Sequence, residues 1–445
     1  MTAGLAAIIA RSPQEKPGAP VSLAGIPIDF VLFAFTLLGV ALLHHHTLAV
    51  AVSGMVAIAL YKLLFGDFAG ERGARGLVHL LGHEWVTLAN LLGLLLGFAL
   101  LADHFERSRM TELLPRILPD DWRGGFVLLL LIALISSFLD NIAAAMIGGA
   151  MAHVLYRGRV HIGFLAAIVA ASNAGGAGSV VGDTTTTMMW IAGVRPKQVF
   201  EAYVGGAIAL LFFAGIAARQ QQAYQPIMRE PPRAVRVDFA RLAVVALMLL
   251  AAIATNIDLN LRHPELLAHW PVIGLSVWVA LLATAGWRAP SWHLLPGALR
   301  GSLFLLSLVL CAAMMPVKAL PAASWASALG LGFISAVFDN IPLTALALRQ
   351  GGHDWGFLAF AVGFGGSMVW FGSSAGVALC TMYPEGRSVL GWLKGGWHVV
   401  VAYLLGFAAM MLLLGWAPDE PAARKLSAPS VEAPAPVESL PHRKP

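Results

Sequence analysis

Long apolar stretches that avoid charged side chains dominate the chain. Of its 445 residues, 58% are hydrophobic and only 12% are charged. About ten apolar runs of roughly 16 to 22 residues are each long enough to cross a bilayer as a helix. The pattern predicts an all-α polytopic, multi-pass membrane protein.

The remaining composition excludes several other classes of protein. The net charge of +5 comes largely from loop arginines, which we interpret as topology determinants rather than a nucleic-acid surface. Cys311 and Cys380 lie in apolar runs without metal-ligand spacing, so no disulfide framework is predicted. The apolar run at 4–10 is short and lacks a basic flank, and we expect no cleaved leader. No bound cofactor and no nucleic-acid partner are expected.

The dipeptide Asp-Asn occurs twice inside apolar runs, as Asp140-Asn141 and as Asp339-Asn340. A charged side chain at the bilayer centre costs about 3 kcal/mol or more, so an intramembrane Asp is a functional-site candidate. The alternative is that both Asp side chains only cap helix N-termini. Because capping does not require a carboxylate at bilayer depth twice, we interpret the two copies as halves of one site.

The apolar runs form two series of six, which divide the chain. Residues 26–218 form the first half, and residues 239–415 form the second. Between them, residues 219–238 form a basic linker rich in Arg and Pro. Residues 1–25 precede the first half, and residues 416–445, rich in Pro, Ala and charge, are predicted to be disordered.

The fourth and fifth units of each half are interrupted. Ser136-Ser137 and Asp140-Asn141 divide the run 125–156 into two arms of about 15 residues, each about 22 Å long. A re-entrant helical hairpin is therefore predicted, and a second one around Asp339. The fifth units contain glycine-rich breaks, and broken backbone at membrane depth is tolerated where it lines a cavity or is buried in protein. The break glycines are Gly175, Gly176, Gly182, Gly365, Gly366 and Gly372.

The two halves match at constant spacing. Ser136 and Asp140 match Ser335 and Asp339 at an offset of 199 residues, while Asp183 matches Ser373 at an offset of 190. If the hairpins return to their own side, each half contributes about five crossings. An odd number turns the second half upside down, as in inverted-repeat transporters. The predicted fold is two inverted repeats with about ten spans, two re-entrant hairpins and two broken helices.

The breaks bring together side chains that are nearly all oxygen donors. The predicted ion-binding residues are Asp140, Asn141, Asn173, Asp183, Thr184, Thr185, Thr186, Ser335, Asp339, Asn340, Ser373 and Ser374. Carboxylate, hydroxyl and carbonyl oxygens are the ligands of hard cations, and no Arg or Lys lies near a break. Asp140, Asp183 and Asp339 are the predicted Na⁺ ligands, although Asp183 could be a simple N-cap. Clustered, desolvated carboxylates also take up protons, so protons and Na⁺ would compete.

Four motifs resemble those of a known family. They are Ser-x-x-x-Asp-Asn-Ile at 136–142, Asn-Ala-Gly-Gly-Ala and Gly-Asp-Thr-Thr-Thr-Thr-Met-Met-Trp-Ile within 173–191, Ser-x-x-x-Asp-Asn-Ile-Pro-Leu at 335–343, and Gly-Gly-Ser with Gly-Ser-Ser-Ala-Gly-Val within 365–377. Together they look like NhaD-type sodium/proton antiporters of the ion-transporter superfamily, which also holds citrate, dicarboxylate and arsenite carriers. The resemblance implies roles for the following acidic, amide and hydroxyl residues: Asp140, Asn141, Asn173, Asp183, Thr185, Thr186, Ser335, Asp339 and Asn340. It also implies a further acidic position at Glu84 and a homodimer.

We therefore expect a secondary transporter that exchanges Na⁺, with Li⁺ as a second candidate cation, for H⁺ by alternating access. A proton- or sodium-coupled carboxylate or arsenite carrier on the same scaffold is the alternative. An enzyme is not expected. Intramembrane aspartyl proteases also use two Asp residues, but they carry a Gly-x-Gly-Asp motif, and Val180 stands at the position of its first Gly. The expected location is the bacterial inner membrane, and the expected partners are small ions and the lipid bilayer.

Overall fold

The computed structural model describes residues 22–23, 26–43, 46–68, 71–110, 118–180, 182–228 and 236–419. Helices dominate these residues, as predicted. In chain order they are α1 (Ile28–Leu42), α2 (Thr47–Phe65), α3 (Gly73–Arg107), α4 (Trp122–Ser136), α5 (Asn141–Leu155), α6 (Ile162–Ala177), α7 (Thr184–Ile191), α8 (Pro196–Phe200), α9 (Ala202–Tyr224), α10 (Phe239–Arg262), α11 (Pro264–His269), α12 (Val272–Thr284), α13 (Leu295–Ala313), α14 (Trp325–Ser335), α15 (Asn340–Gln350), α16 (Trp355–Gly365), α17 (Ser374–Met382), α18 (Val389–Gly395) and α19 (Trp397–Leu413). The strands β1 (Ser22–Leu23) and β2 (Ile26–Pro27) form a short antiparallel pair before α1.

Several helices are long and apolar enough to cross a membrane. Among the described residues five helical stretches qualify, and the bent pair α18 and α19, with 62° between them, makes a sixth. They are Thr47–Phe65, Gly73–Arg107, Pro196–Tyr224, Phe239–Leu259 and Trp292–Ala313. The class of polytopic helical membrane protein is consistent with these spans, while the count of ten stays a prediction.

The helices form two bundles. The first, which we call the hairpin bundle, contains α4 to α9 and α14 to α19 and shares one large hydrophobic core. The second, the flanking bundle, contains α1 to α3 and α10 to α13. The two bundles meet where α13 packs on α15 and α3 contacts α7. At this boundary Met188, Ile341 and Ala345 of the hairpin bundle pack with Leu308 and Cys311 of α13.

The centre of the hairpin bundle is formed by α6 and α16, which contact each other. Every residue at 163–177 of α6 and every residue of α16 is buried. A helix that is apolar all round is stable only when other elements cover it on all sides. Both predicted broken helices therefore lie at the core, and their breaks are covered by protein.

The hairpin arms end at the polar residues that the sequence singled out. α4 ends at Ser136 and α5 begins at Asn141, and each has 15 residues. In the second half α14 ends at Ser335 and α15 begins at Asn340, and each has 11 residues. At 1.5 Å per residue the arms are about 22 Å and 16 Å long, less than the 30 Å or so of a bilayer core.

Some predicted boundaries differ from the structure. α9 continues to Tyr224, into the predicted linker, whose residues 229–235 lie outside the described part of the chain. Residues 416–419 of the predicted disordered tail are ordered: the backbone N of Ala417 donates to Oδ2 of Asp354 over 2.9 Å, and Nε1 of Trp355 donates to the carbonyl of Asp419 over 2.7 Å. The rest of the tail and residues 1–21 lie outside the described residues.

Candidate ion-binding site

The two hairpin turns have the same backbone geometry. Asp140 and Asp339 have φ of −53° in both turns and ψ of 142° and 141°. Each carboxylate accepts a hydrogen bond from the backbone N two residues later, over 3.2 Å from Ile142 and 3.0 Å from Ile341. Both side chains therefore cap a helix N-terminus. Asn or Ser would cap equally well, so capping explains the orientation of the side chains and leaves their charge unexplained.

The duplicated geometry extends to the serines that precede each turn. Oγ of Ser136 donates to the carbonyl of Ser172 over 2.6 Å, and Oγ of Ser335 donates to the carbonyl of Val362 over 2.7 Å. The two donors are 199 residues apart and the two acceptors are 190 residues apart, which are the offsets that relate the two halves of the sequence. Ser335, a predicted site residue, thus anchors its hairpin to α16.

The break after α6 places Asp183 at the N-terminus of α7. Asp183 is 2% exposed, and its Oδ1 accepts from the backbone N of Thr185 over 3.0 Å. Ser373 occupies the equivalent position before α17, where its Oγ accepts from the backbone N of Gly376 over 3.3 Å. The backbone angles agree closely, at φ −141° and −139°. One half of the site therefore carries a carboxylate where the other carries a hydroxyl.

A chain of amide and hydroxyl groups connects the first hairpin with the second half. Nδ2 of Asn141 donates to Oδ1 of Asn173 over 3.0 Å, and Nδ2 of Asn173 donates to Oγ of Ser367 over 2.9 Å. Asn173 and Ser367 are fully buried. Ser367 was not among the predicted site residues, although it follows Gly366 in one of the four motifs.

A second contact runs from the first half to the second hairpin. Nδ2 of Asn340 lies 3.4 Å from Oδ2 of Asp183, and Oγ of Ser374 donates to Oδ2 of Asp339 over 3.0 Å. In the part of the chain that the structure describes, no hydrogen bond joins Asp140 to Thr184, the counterpart of Ser374. The four turns therefore converge, but the two halves of the site are not equivalent.

The threonines after Asp183 differ in what their hydroxyls do. Oγ1 of Thr186 donates to the carbonyl of Asp183 over 2.9 Å, so this hydroxyl stays within its own helix. Oγ1 of Thr185 is buried and has no hydrogen-bond partner among the described residues. Thr184 is half-buried. Thr185 therefore offers an unused oxygen next to the Asp183 carboxylate.

The break glycines allow close approach of backbone segments. A Cβ at Gly175 would collide with the backbone of Ala133, and a Cβ at Gly365 would collide with the backbone of Gly332. These are again equivalent contacts in the two halves. The other four break glycines, Gly176, Gly182, Gly366 and Gly372, would each bring a Cβ to within 3.0 Å or less of a backbone carbonyl oxygen. None of the six has a positive φ, so close backbone approach, and not an unusual dihedral, explains these glycines.

The three site carboxylates influence one another without forming one coordination shell. The charges of Asp140 and Asp339 both act on Asp183. Among the described residues, however, no three His, Cys, Asp or Glu side chains are arranged to hold a metal ion. In this conformation a cation bound at Asp183 would draw its other ligands from Asn, Thr and Ser side chains and from backbone carbonyls.

Glu84 lies outside this cluster. Its Oε1 is 2.7 Å from Nη1 of Arg349, near the C-terminus of α15. A second charged pair was not predicted: Nζ of Lys62 lies 3.6 Å from Oδ1 of Asp29. The sequence does signal this pair, because Asp29 and Lys62 are charged residues within the predicted apolar runs 26–43 and 47–64, where charge is costly.

Comparison with known protein families finds no match, whereas individual curated proteins are similar over most of the chain. Sodium/proton antiporter 1 of Arabidopsis thaliana is 26% identical over 363 residues, 72% of this chain. Sodium/proton antiporter 2 of the same plant is 26% identical over 403 residues, 81% of this chain and 91% of that protein. The Na⁺/H⁺ antiporter NhaD of Vibrio parahaemolyticus is 28% identical over 348 residues, 66% of this chain and 80% of that protein.

This chain spans 60% of the length of the first of these relatives. All of them are named as antiporters, so the relatives are transporters and not enzymes, as the sequence predicted. The chain is therefore related to the NhaD-type sodium/proton antiporters, as its four motifs predict.

Proposed function

We propose that the chain is a secondary transporter that exchanges Na⁺ for H⁺ by alternating access. The observation that carries the proposal is the absence of cationic partners at the site. In the described part of the chain no Arg or Lys side chain pairs with Asp140, Asp183 or Asp339. Asp183 is buried, and Asp140 and Asp339 are half-buried. Desolvated carboxylates without a basic partner require a cation or a proton to neutralise them. A site of this kind alternates between Na⁺ and H⁺.

The ligands available around Asp183 support a small hard cation. The Thr185 hydroxyl oxygen has no hydrogen-bond partner among the described residues and is free to act as a ligand beside the carboxylate. Asn340 presents its Nδ2 donor to Oδ2 of Asp183 over 3.4 Å, so it would supply its Oδ1 to a cation after the amide rotates. Gly363 lies so close that a Cβ there would be 3.6 Å from Oδ2 of Asp183, which keeps the cavity compact. Oxygen ligands in a compact cavity suit Na⁺ and Li⁺. A citrate-like anion would meet three carboxylates instead and would have to rely on helix N-termini and amides alone.

The fold that we propose around this site has two inverted repeats, 26–218 and 239–415, with about ten spans. The shared offsets of the serine, glycine and aspartate contacts support the repeat. The short arms of both hairpins support re-entrant elements, since a helix of 11 to 15 residues does not cross a bilayer core. We further propose the bacterial inner membrane as location and a homodimer as assembly.

The experiment is a dequenching assay of a pH-sensitive dye in everted vesicles with a preset proton gradient. Na⁺, Li⁺, K⁺, citrate and arsenite are added separately. We expect dequenching by Na⁺ or Li⁺. Dequenching by citrate or arsenite and by no alkali cation would replace the antiporter with the alternative carrier.

Aspartate variants then test the site itself. Asp140→Asn and Asp339→Asn keep the cap but remove the charge, so each should abolish exchange at normal protein levels. The matched control is Asp121→Asn, because Asp121 also caps a hairpin arm, by accepting from the backbone N of Arg123 over 2.9 Å, and lies exposed, away from the site. Wild-type rates in both site variants would show that these residues are only caps.

A further inference from the structure

One ion pair crosses the boundary between the two bundles. Nη1 of Arg349 lies 2.7 Å from Oε1 of Glu84, and the two side chains are 26% and 15% exposed. Glu84 belongs to α3 of the flanking bundle, and Arg349 lies in the last turn of α15 in the hairpin bundle. The pair therefore links an element that carries the site to a helix that covers it.

The helix α15 connects this pair to the ion-binding site. Its N-terminus is capped by Asp339 and its C-terminal turn carries Arg349. Nine residues separate Asn340 from Arg349, which corresponds to about 14 Å along the helix. Because α15 is short and continuous, a displacement of Arg349 along the helix axis would also displace Asp339.

Arg349 depends on Glu84 for its neutralisation. Its Nε is buried and has no hydrogen-bond partner among the described residues. The positive charge of Arg349 also repels that of Lys62 on α2. Without Glu84, α15 would carry a poorly compensated cation against the flanking bundle.

We propose that Arg349 is a positioning residue for ion exchange, whose ion pair with Glu84 holds α15 against α3 in one conformation and opens in another. The inference rests on the proposed function, because alternating access requires the hairpin bundle to move relative to α3 and α13. A partly exposed ion pair contributes little net free energy, so the contact can open and close in every cycle. Both residues lie outside the ion-binding cluster.

Charge reversal tests the pair. Glu84→Arg and Arg349→Glu each place like charges together, and we expect each to lower the maximal exchange rate by about tenfold or more. The double variant restores opposite charges and should return the rate to within about threefold of wild type. The control reverses the exposed pair Asp258 and Arg262, 3.3 Å apart on α10, and should leave exchange unchanged. A double variant no faster than either single variant, at equal protein levels, would overturn the proposal.

Reversible crosslinking tests the opening of the pair. Glu84→Cys and Arg349→Cys are introduced after both native cysteines are replaced by Ser, and a short bis-methanethiosulfonate joins the two thiols. We expect crosslinking, seen as protection from maleimide labelling, to stop exchange and reductant to restore it. Crosslinked protein that exchanges at the uncrosslinked rate would refute the opening. Failure of the proposed function is distinguishable, since then the cysteine-free protein that retains Glu84 and Arg349 would also show no cation-driven exchange.

Discussion

The buried ion pair between Asp29 and Lys62 gives the sharpest prediction about stability. The two residues are 4% and 5% exposed, and Lys62 lies on a helix long enough to cross the membrane. Nζ of Lys62 also donates to the carbonyl of Met314, the C-cap of α13, over 2.7 Å. Lys62 thus neutralises Asp29 and caps the helix that packs on α15.

The magnitude follows from what each substitution leaves behind. Lys62→Met leaves the Asp29 carboxylate buried without a cation, which costs about 3 to 5 kcal/mol. This cost cannot exceed the free energy of protonating the carboxylate, because protonation also removes the buried charge. An ordinary Asp has a pKa of about 3.9, so protonating it at pH 7 costs about 4 kcal/mol. The lost hydrogen bond to Met314 adds about 1 kcal/mol. We therefore expect Lys62→Met to lower the free energy of unfolding by about 4 to 5 kcal/mol.

The double variant separates charge from packing. In Asp29→Asn with Lys62→Met no charge remains, and replacing both members of a buried pair is often neutral. We expect it to differ from wild type by no more than about 1 to 2 kcal/mol, so the coupling energy should exceed about 2 kcal/mol. Reversible unfolding by sodium dodecyl sulfate in mixed micelles, followed by tryptophan fluorescence, measures all four proteins. Single variants within about 1 kcal/mol of wild type, or a double variant as unstable as the sum of the singles, would refute the reasoning.

Three further predictions concern the proposed ion-binding site. Gly175→Ala should destabilise the protein by about 1 to 3 kcal/mol and reduce exchange, because its Cβ would meet the backbone of Ala133. The control Gly330→Ala in α14, where nothing lies within 4 Å, should do neither, and equal thermal stability of the two variants would contradict this prediction. Thr185→Val removes a hydroxyl that has no hydrogen-bond partner among the described residues, so the free energy of unfolding should stay unchanged while the half-saturating Na⁺ concentration rises about fivefold or more. An unchanged half-saturating concentration would show that the hydroxyl is not a ligand. If Na⁺ and H⁺ compete for Asp183 and its neighbours, raising the pH from about 6.5 to 9 should lower the half-saturating Na⁺ concentration by up to about tenfold per pH unit per competing proton. A half-saturating concentration that stays constant or rises with pH would exclude direct competition.

The hairpin turns show how far local sequence information reaches. Ser136 and Asn141 were predicted to bound the two arms of the first hairpin, and helices end and begin at these residues. The signal is local, because an Asp accepts a hydrogen bond from a backbone N two residues later whatever lies around it. The equivalent turn at Asp339 repeats it for the same reason. Helix boundaries at polar breaks could therefore be predicted without knowledge of the packing.

Helix lengths were less predictable, because hydropathy measures apolar content and not helix propagation. α3 begins at Gly73, well before the apolar run expected to span the membrane, since a helix continues through polar residues as long as its backbone bonds are made. The tail residues Ala417 and Asp419 are fixed by bonds to α16 and its cap that lie far away in sequence. A composition rich in Pro and charge carries no information about such contacts.

The sequence by itself determined the class of helical membrane protein, the duplicated Asp-Asn turns, the glycine breaks and the oxygen-rich chemistry of the site. Tertiary structure alone decided which groups meet: Asp183 with Asn340, Asn173 with Ser367, Lys62 with Asp29, and Arg349 with Glu84. These contacts join different helices and turns, and helix packing, not local propensity, fixes their geometry. Local rules act over a few residues, so partners separated by tens to hundreds of residues are set only when the helices pack and each buried polar group finds a partner.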